Sequence, residues 1–183
     1  MMKSSDLIIR CFWIGLAVSL MYINIYGYVR PVPPEFDFKN NMGKVNTYYK
    51  IKNKNSNQLM DVTSCYIMDG VSIIQWGDNG GENQLWQLID AGSGYFKIKS
   101  KLGGKLLSVY CGSMEAGAEI VQWSDIGGDF QLWQKVDAGS GYYKLQNKKS
   151  GKLLDVKEAS KKEGDPIIQW FDNGNDNQLW RFE

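Results

Sequence analysis

The 183-residue sequence contains no histidine. That removes the usual general base, the Ser-His and Cys-His nucleophile pairs and most zinc chemistry. No metal and no cofactor are therefore expected, and any catalysis would rest on carboxylates. An excess of one charge is also missing. The 21 Lys and Arg residues against 20 Asp and Glu leave a formal net charge of +1, so nothing in the charge points to nucleic acid or an anionic membrane. Sustained helical periodicity is absent, and the one long apolar run is Cys11 to Tyr26.

That run accounts for the start of the chain. Lys3 and Arg10 precede it and Gly27 offers a small residue for cleavage, so residues 1–27 read as a signal peptide. An uncleaved anchor is the alternative, because Cys11 to Tyr28 is nearly long enough to span a bilayer. The run is short and holds Ser19, Asn24 and several tyrosines, which favours secretion. The expected location is extracellular, with no membrane insertion after cleavage. Residues 28–46 carry Pro31, Pro33 and Pro34 and read as an extended linker or arm.

From residue 47 onward the chain repeats itself. Tyr48-Tyr49-Lys50-Ile51, Tyr95-Phe96-Lys97-Ile98 and Tyr142-Tyr143-Lys144-Leu145 stand 47 residues apart and open three copies of one unit, 48–94, 95–141 and 142–183. In each copy an alternating first strand is followed by a second (Leu59–Val62, Leu106–Val109, Leu153–Val156). A third ends in Gln-Trp (Gln75-Trp76, Gln122-Trp123, Gln169-Trp170), and the fourth holds Gln84-Leu85-Trp86, Gln131-Leu132-Trp133 or Gln178-Leu179-Trp180. Glycine-rich turns such as Asp90-Ala91-Gly92-Ser93-Gly94 separate them. Twelve short strands in three fours predict an all-β domain. One four-stranded unit cannot bury its apolar face alone, but three can close around an axis and leave few edges.

One Gln-x-Trp element per unit, three times over, resembles the ricin B-chain-type lectin domain, a β-trefoil. The form Ile-Gln-Trp-x-Asp-Asn-Gly followed by Asn-Gln-Leu-Trp is similar to carbohydrate-binding modules of that family found beside glycosidases. The resemblance covers residues 47–183. It implies that Trp86, Trp133 and Trp180 share a core, and that Gln84, Gln131 and Gln178 bond backbone groups of their own unit.

A pyranose site needs a flat ring for the sugar's apolar face, a carboxylate for neighbouring hydroxyls and an amide to fix orientation. The first unit offers Asp61, Trp76, Asn83 and Gln84, and the third offers Asp155, Trp170, Asn177 and Gln178. The resemblance assigns sugar binding to these positions. Strand alternation sends Met60 and Val62 inward and Asp61 outward with Leu59. The bland readings are that the aspartates cap turns and the tryptophans are rim packing. Recurrence of all three types in two units speaks against them.

The second unit departs from the pattern, with Ser108 in place of Asp and Phe130 in place of Asn, while Trp123 and the core positions Leu106, Val109, Gln131 and Trp133 are kept. This unit is expected to fold like the others and to bind sugar weakly or not at all. Ile74 and Ile168 stand where ricin-type sites often have a glutamine, which leaves galactose-, arabinose- and xylan-type glycans or polysaccharides all in play. Of three cysteines, Cys11 leaves with the signal peptide, and Cys65 and Cys111 lie in loops of different units with no expected bridge.

The reading is a secreted, non-catalytic lectin with two sugar sites, working alone or beside a separate enzyme or toxin chain. A hydrolase would need two carboxylates across one cleft, for which Asp61 with Asp78, or Asp155 with Asp172, are the recurring pairs. A β-trefoil protein-interaction module, of inhibitor or signalling type, is the other alternative.

Overall fold

A computed structural model describes residues 47–183 and one short antiparallel ladder near the N-terminus, β1 (Tyr22–Ile23) with β2 (Val29–Arg30). Apart from that ladder, the residues read as signal peptide and linker lie outside the described residues. The chain divides into two compact units, residues 1–44 and 45–183. No helix among the described residues is long and apolar enough to cross a membrane.

Residues 47–183 form an all-β, trefoil-like fold of twelve short strands. The first four are β3 (Ile51–Asn53), β4 (Leu59–Val62), β5 (Val71–Trp76) and β6 (Trp86–Asp90). Next come β7 (Tyr95–Ser100), β8 (Leu106–Val109), β9 (Ile120–Trp123) and β10 (Trp133–Asp137). The last four are β11 (Tyr143–Asn147), β12 (Leu153–Val156), β13 (Ile167–Trp170) and β14 (Trp180–Phe182).

The outer strands of the three units make a closed ring. β6 pairs β7, β7 pairs β10, β10 pairs β11, β11 pairs β14 and β14 pairs β3, while the Tyr49–Trp86 bridge joins the start of the first unit to β6. A ring has no edge strand to protect. The inner strands form three hairpins, β4–β5, β8–β9 and β12–β13, with Leu59 opposite Trp76, Leu106 opposite Trp123 and Leu153 opposite Trp170. Contacts β5–β9, Ile74–Pro166 and Glu119–Ile168 join the hairpins to one another.

Five buried residues from each unit build the core: Ile51, Met60, Val62, Ile73 and Trp86 in the first, with counterparts that end in Trp133 and Trp180. The three indoles are essentially unexposed. Each satisfies its one donor on the strand-two backbone: Trp86 Nε1 donates to the Met60 carbonyl at 3.0 Å, Trp133 to Leu107 at 3.0 Å and Trp180 to Leu154 at 3.1 Å. The bulkiest core residue therefore also fixes where β4, β8 and β12 lie.

The glutamine of each Gln-Trp pair has a different task, which the sequence did not disclose. Gln75 Nε2 donates to the carbonyls of Ser160 and Lys162, Gln122 to Tyr66 and Met68, and Gln169 to Ser113 and Glu115. All three glutamines are buried. Each holds the loop after the 3-10 turn of a different unit, so the three hairpins are stapled in a cycle.

Candidate functional site

Each unit carries a groove between its second strand, the tryptophan ending its third strand, and the two turns that flank them. After β4 the chain turns through a short 3-10 segment, Thr63–Cys65, in which Ser64 and Cys65 adopt positive φ. A second 3-10 turn, Glu82–Gln84, leads into Trp86. Asp61, Thr63, Trp76, Asn79 and Asn83 line the first groove, of about 330 Å³. The third unit repeats it with Asp155, Lys157, Trp170, Asn173 and Asn177 around about 430 Å³.

The aspartate is held by one oxygen only. Asp61 Oδ2 accepts from Asn83 Nδ2 at 2.8 Å, Gln84 Nε2 at 2.8 Å and Asn79 Nδ2 at 3.3 Å. Asp155 Oδ2 accepts from Gln178 Nε2 at 2.7 Å and Asn173 Nδ2 at 3.4 Å. Among the described residues no donor engages Oδ1 of either aspartate, so each carboxylate turns one acceptor oxygen to its groove. Burial raises the Asp61 carboxyl above the usual range against the pull of Gln84, and raises Asp155 to about 6 against the pull of Gln178.

Asp61 lies on the face opposite Met60 and Val62, as alternation predicts, but that face is not open to solvent. Met60 and Val62 do join the core, but Asp61 is only 3% exposed and Leu59 is buried too, because the groove walls cover the outer face of the strand. Gln84 and Gln178 need correction. Both are fully buried and line neither groove. Their amides act through the aspartate. Gln84 Nε2 also donates to the Gly77 carbonyl at 2.7 Å and its Oε1 accepts from the Asn79 backbone at 3.0 Å, and Gln178 does the same with Phe171 and Asn173. The backbone bonds inferred for these glutamines are thus present, with the carboxylate added.

Trp76 and Trp170 sit at the groove mouths, 40% and 41% exposed. The edge of Trp76 lies against Gly164 of the third unit and that of Trp170 against Gly117 of the second, both with φ of +87°. A Cβ there would stand in ordinary contact at 3.5 Å from each ring, so it is the positive φ rather than the space that calls for glycine. Asn79 and Asn173 were not singled out from the sequence. The signal was the asparagine of Asp-Asn-Gly, which recurs in units one and three and becomes Ile126 in unit two.

The two polar grooves differ in the turn after the second strand, Thr63-Ser64-Cys65 against Lys157-Glu158-Ala159, and at one amide. Asn83 spends its Nδ2 on Asp61, whereas Asn177 Nδ2 donates to the Val156 carbonyl at 3.0 Å and leaves Oδ1 without a protein partner. The second groove is of another kind. Ser108, Val109, Cys111, Trp123, Ile126 and Phe130 enclose about 310 Å³. Gln131 Nε2 still donates to the Ser108 hydroxyl at 3.0 Å, and that hydroxyl donates to the Leu106 carbonyl at 3.1 Å. No carboxylate lines this groove.

Asp78 and Asp172, the second members of the acidic pairs, line neither polar groove. They pair with Lys50 at 2.5 Å and Lys144 at 2.6 Å, and those lysine hydrogen bonds hold both below the usual carboxylate range. Cys65 and Cys111 are free and exposed. No cluster among the described residues could hold a metal ion.

The profile of the ricin-type beta-trefoil lectin domain-like family matches residues 35–123 and 127–183. The chain belongs to that family. The ricin-type trefoil also has similar solved structures. A designed threefold-symmetric protein, ThreeFoil, is 44% identical over 74% of this chain and 96% of its own, with a TM-score of 0.73. An exo-β-1,3-galactanase from Clostridium thermocellum is 37% identical over 85% of this chain, with a TM-score of 0.73; the match covers 32% of the galactanase, about a third of its length. A Macrolepiota procera ricin B-like lectin in complex with lactose shares the fold at 20% identity, over 75% of this chain and 95% of that one, with a TM-score of 0.64. No curated protein sequence matches the chain at a significant level.

Proposed function

We propose that this protein is a secreted, non-catalytic lectin whose first and third units bind sugar and whose second unit has lost that capacity. The carrying observation is the divided carboxylate. Oδ2 of Asp61 and of Asp155 is fixed by side-chain amides, while Oδ1 faces a groove beside a half-open tryptophan. A fixed acceptor next to an aromatic plate is what a pyranose needs, since its hydroxyls donate to the oxygen and its C–H face lies on the ring. Asn177 lines the third groove as Asn83 lines the first.

Chemistry on the sugar is not part of this reading. The first groove holds a single carboxylate, and Asp78 is neutralised by Lys50 away from it. The similarity to a β-1,3-galactanase supports galactose-type polysaccharide as the ligand class, and supports action beside a separate enzyme chain. Affinity electrophoresis through gels containing galactan, arabinan or xylan tests this. Retardation by galactan that is lost in Trp76→Ala Trp170→Ala is expected. Free migration in all three polysaccharides would remove the lectin reading.

A further inference from the structure

The second groove is not simply a sugar site with a part missing. Five of its positions have changed from polar to apolar in concert, and the three units provide the comparison. Ile126 stands where units one and three have Asn79 and Asn173, and Phe130 where they have Asn83 and Asn177. Tyr110 replaces Thr63 and Lys157. In the loop stapled over this groove by Gln122, Tyr66 replaces Ser113 and Ser160 of the equivalent loops and Met68 replaces Glu115 and Lys162, while Ile67 between them stands where those loops have Met114 and Lys161.

These side chains are not buried by the change. Tyr66, Ile67, Met68 and Ile126 each expose more than half of their surface, and Tyr110 nearly half. Tyr110 and Ile126 lie beside Trp123, and Ile67 packs toward Gly103 on the turn after β7. Tyr110 meets the Trp123 ring edge-on at 6.4 Å, Ile126 shares its groove, and Gln122 beside it holds the loop that carries Ile67 and Met68. Loss of a sugar site by drift would leave small or polar residues here. Accumulation of large apolar ones at open positions marks a contact surface.

We infer that this face is a self-association surface, and that its occupant is the same face of a second copy of this chain. Two observations favour a second copy over another partner. The first is area. Five side chains of this size expose together about 500 Å² of largely apolar surface. A stable interface hides about 800 Å² per partner, of which about 65% is apolar in homodimers, so the patch fits the apolar centre of one twofold contact. The second is charge. Two ion pairs beside the patch are closed within the chain, Lys105 with Asp69 at 2.6 Å and Lys97 with Asp125 at 2.6 Å, and Lys149 at the groove's other side bonds the Gly112 carbonyl. A rim that carries both signs, mostly as closed pairs, can face its own image across a twofold axis with little like-charge repulsion. The third-unit groove shares no lining residue with the patch, so the dimer would present at least two sugar grooves and gain avidity on a glycan surface.

Sedimentation velocity of the full chain, run with reductant so that a Cys111 disulfide cannot imitate the contact, tests the inference. A dimer that forms within the micromolar range is expected. Ile67→Lys Met68→Lys copies the loop of unit three, and Ile126→Asn copies units one and three, so each variant uses residues that fold at the same place in this chain. Each should weaken self-association about tenfold or more and leave sugar-dependent gel retardation intact. A monomer at every concentration, or a dimer indifferent to both variants, overturns the inference. Binding to phosphatidylcholine vesicles that these variants abolish, without any dimer, overturns it in favour of a lipid surface. Because retardation is read separately, failure here and failure of the lectin reading are distinguishable.

Discussion

Gln84 lies beneath Asp61 and donates its side-chain amide to Oδ2 at 2.8 Å, while its own carbonyl oxygen receives the Asn79 backbone N–H at 3.0 Å. One buried side chain thus orients the carboxylate and closes the turn that brings Asn79 to it. Gln178 stands in the same relation to Asp155. The arrangement makes binding and stability inseparable at this position.

Gln84→Leu should therefore fail in both respects. It leaves Asp61 short of a donor and orphans the Asn79 N–H and the Gly77 carbonyl. A loss of about 2–4 kcal/mol in chemical denaturation is expected, with the first sugar site abolished and the third intact. Gln84→Leu with unchanged stability would show that the amide is not the support of the carboxylate.

Asp155 gives a pH prediction of definite sign. Burial raises its folded pKa to about 6 from an ordinary value of 3.8, so between those values the folded state binds more protons than the unfolded one. Stability from this group is therefore greatest at low pH and declines as pH rises through the window to about 6. The penalty at neutral pH is on the order of 2–3 kcal/mol. Asp155→Asn should raise the unfolding midpoint at pH 7 and remove sugar binding by the third unit. In the unchanged protein, binding by that unit should weaken as pH falls below about 6, because a protonated carboxyl no longer accepts from two hydroxyls. Calorimetric titration at pH 7.5 and pH 5 on the Asp61→Ala background isolates the effect; equal affinity at both values contradicts it.

The second unit permits a gain-of-function test. Ser108→Asp, Ile126→Asn and Phe130→Asn together recreate the set that surrounds Trp76 and Trp170, and Gln131 is already positioned to donate to the new carboxylate through the atom that now meets Ser108. The stoichiometry of sugar binding should rise from two to three per chain. Ser108→Asp alone should instead destabilise, since a buried carboxylate would then face Phe130 and Ile126 with one amide donor.

Trp180→Phe isolates the structural layer. It keeps most of the ring volume but strands the Leu154 carbonyl that Nε1 satisfies, at a cost of about 1–3 kcal/mol. That corresponds to a fall of about 2–4 °C in Tm per kcal/mol for a domain near this size. Both sugar sites should survive.

The core was legible because burial follows from periodicity and repetition. Leu-x-x-Val and the last tryptophan recur in three units; the valine and the tryptophan meet in the shared core, and the leucine is buried on the strand's other face. The pairing of Asp61 with Trp76 and Asn83 was legible for the same reason, since the aspartate and asparagine are replaced by Ser108 and Phe130 in unit two while Trp123 stays. What repetition could not convey was the partner across a unit boundary. Gln75 and its two counterparts serve carbonyls on a loop of a different unit, 85 residues away for Gln75 and Ser160, and no spacing within one copy encodes that. Nor could strand alternation give the depth of Asp61. Alternation assigns a face, whereas the turns carrying Thr63 and Asn79 decide how far that face is covered.

The central claim is that Asp61 and Asp155 are the sugar acceptors of a two-site lectin. A glycan array carrying galactose-, arabinose- and xylan-type structures, probed with the protein and with Asp61→Ala, Asp155→Ala and the double variant, tests it most directly. The account predicts one specific ligand class for the protein, a weakened but unchanged pattern for each single variant, and a blank array for the double. The same pattern at full strength from the double variant would contradict it.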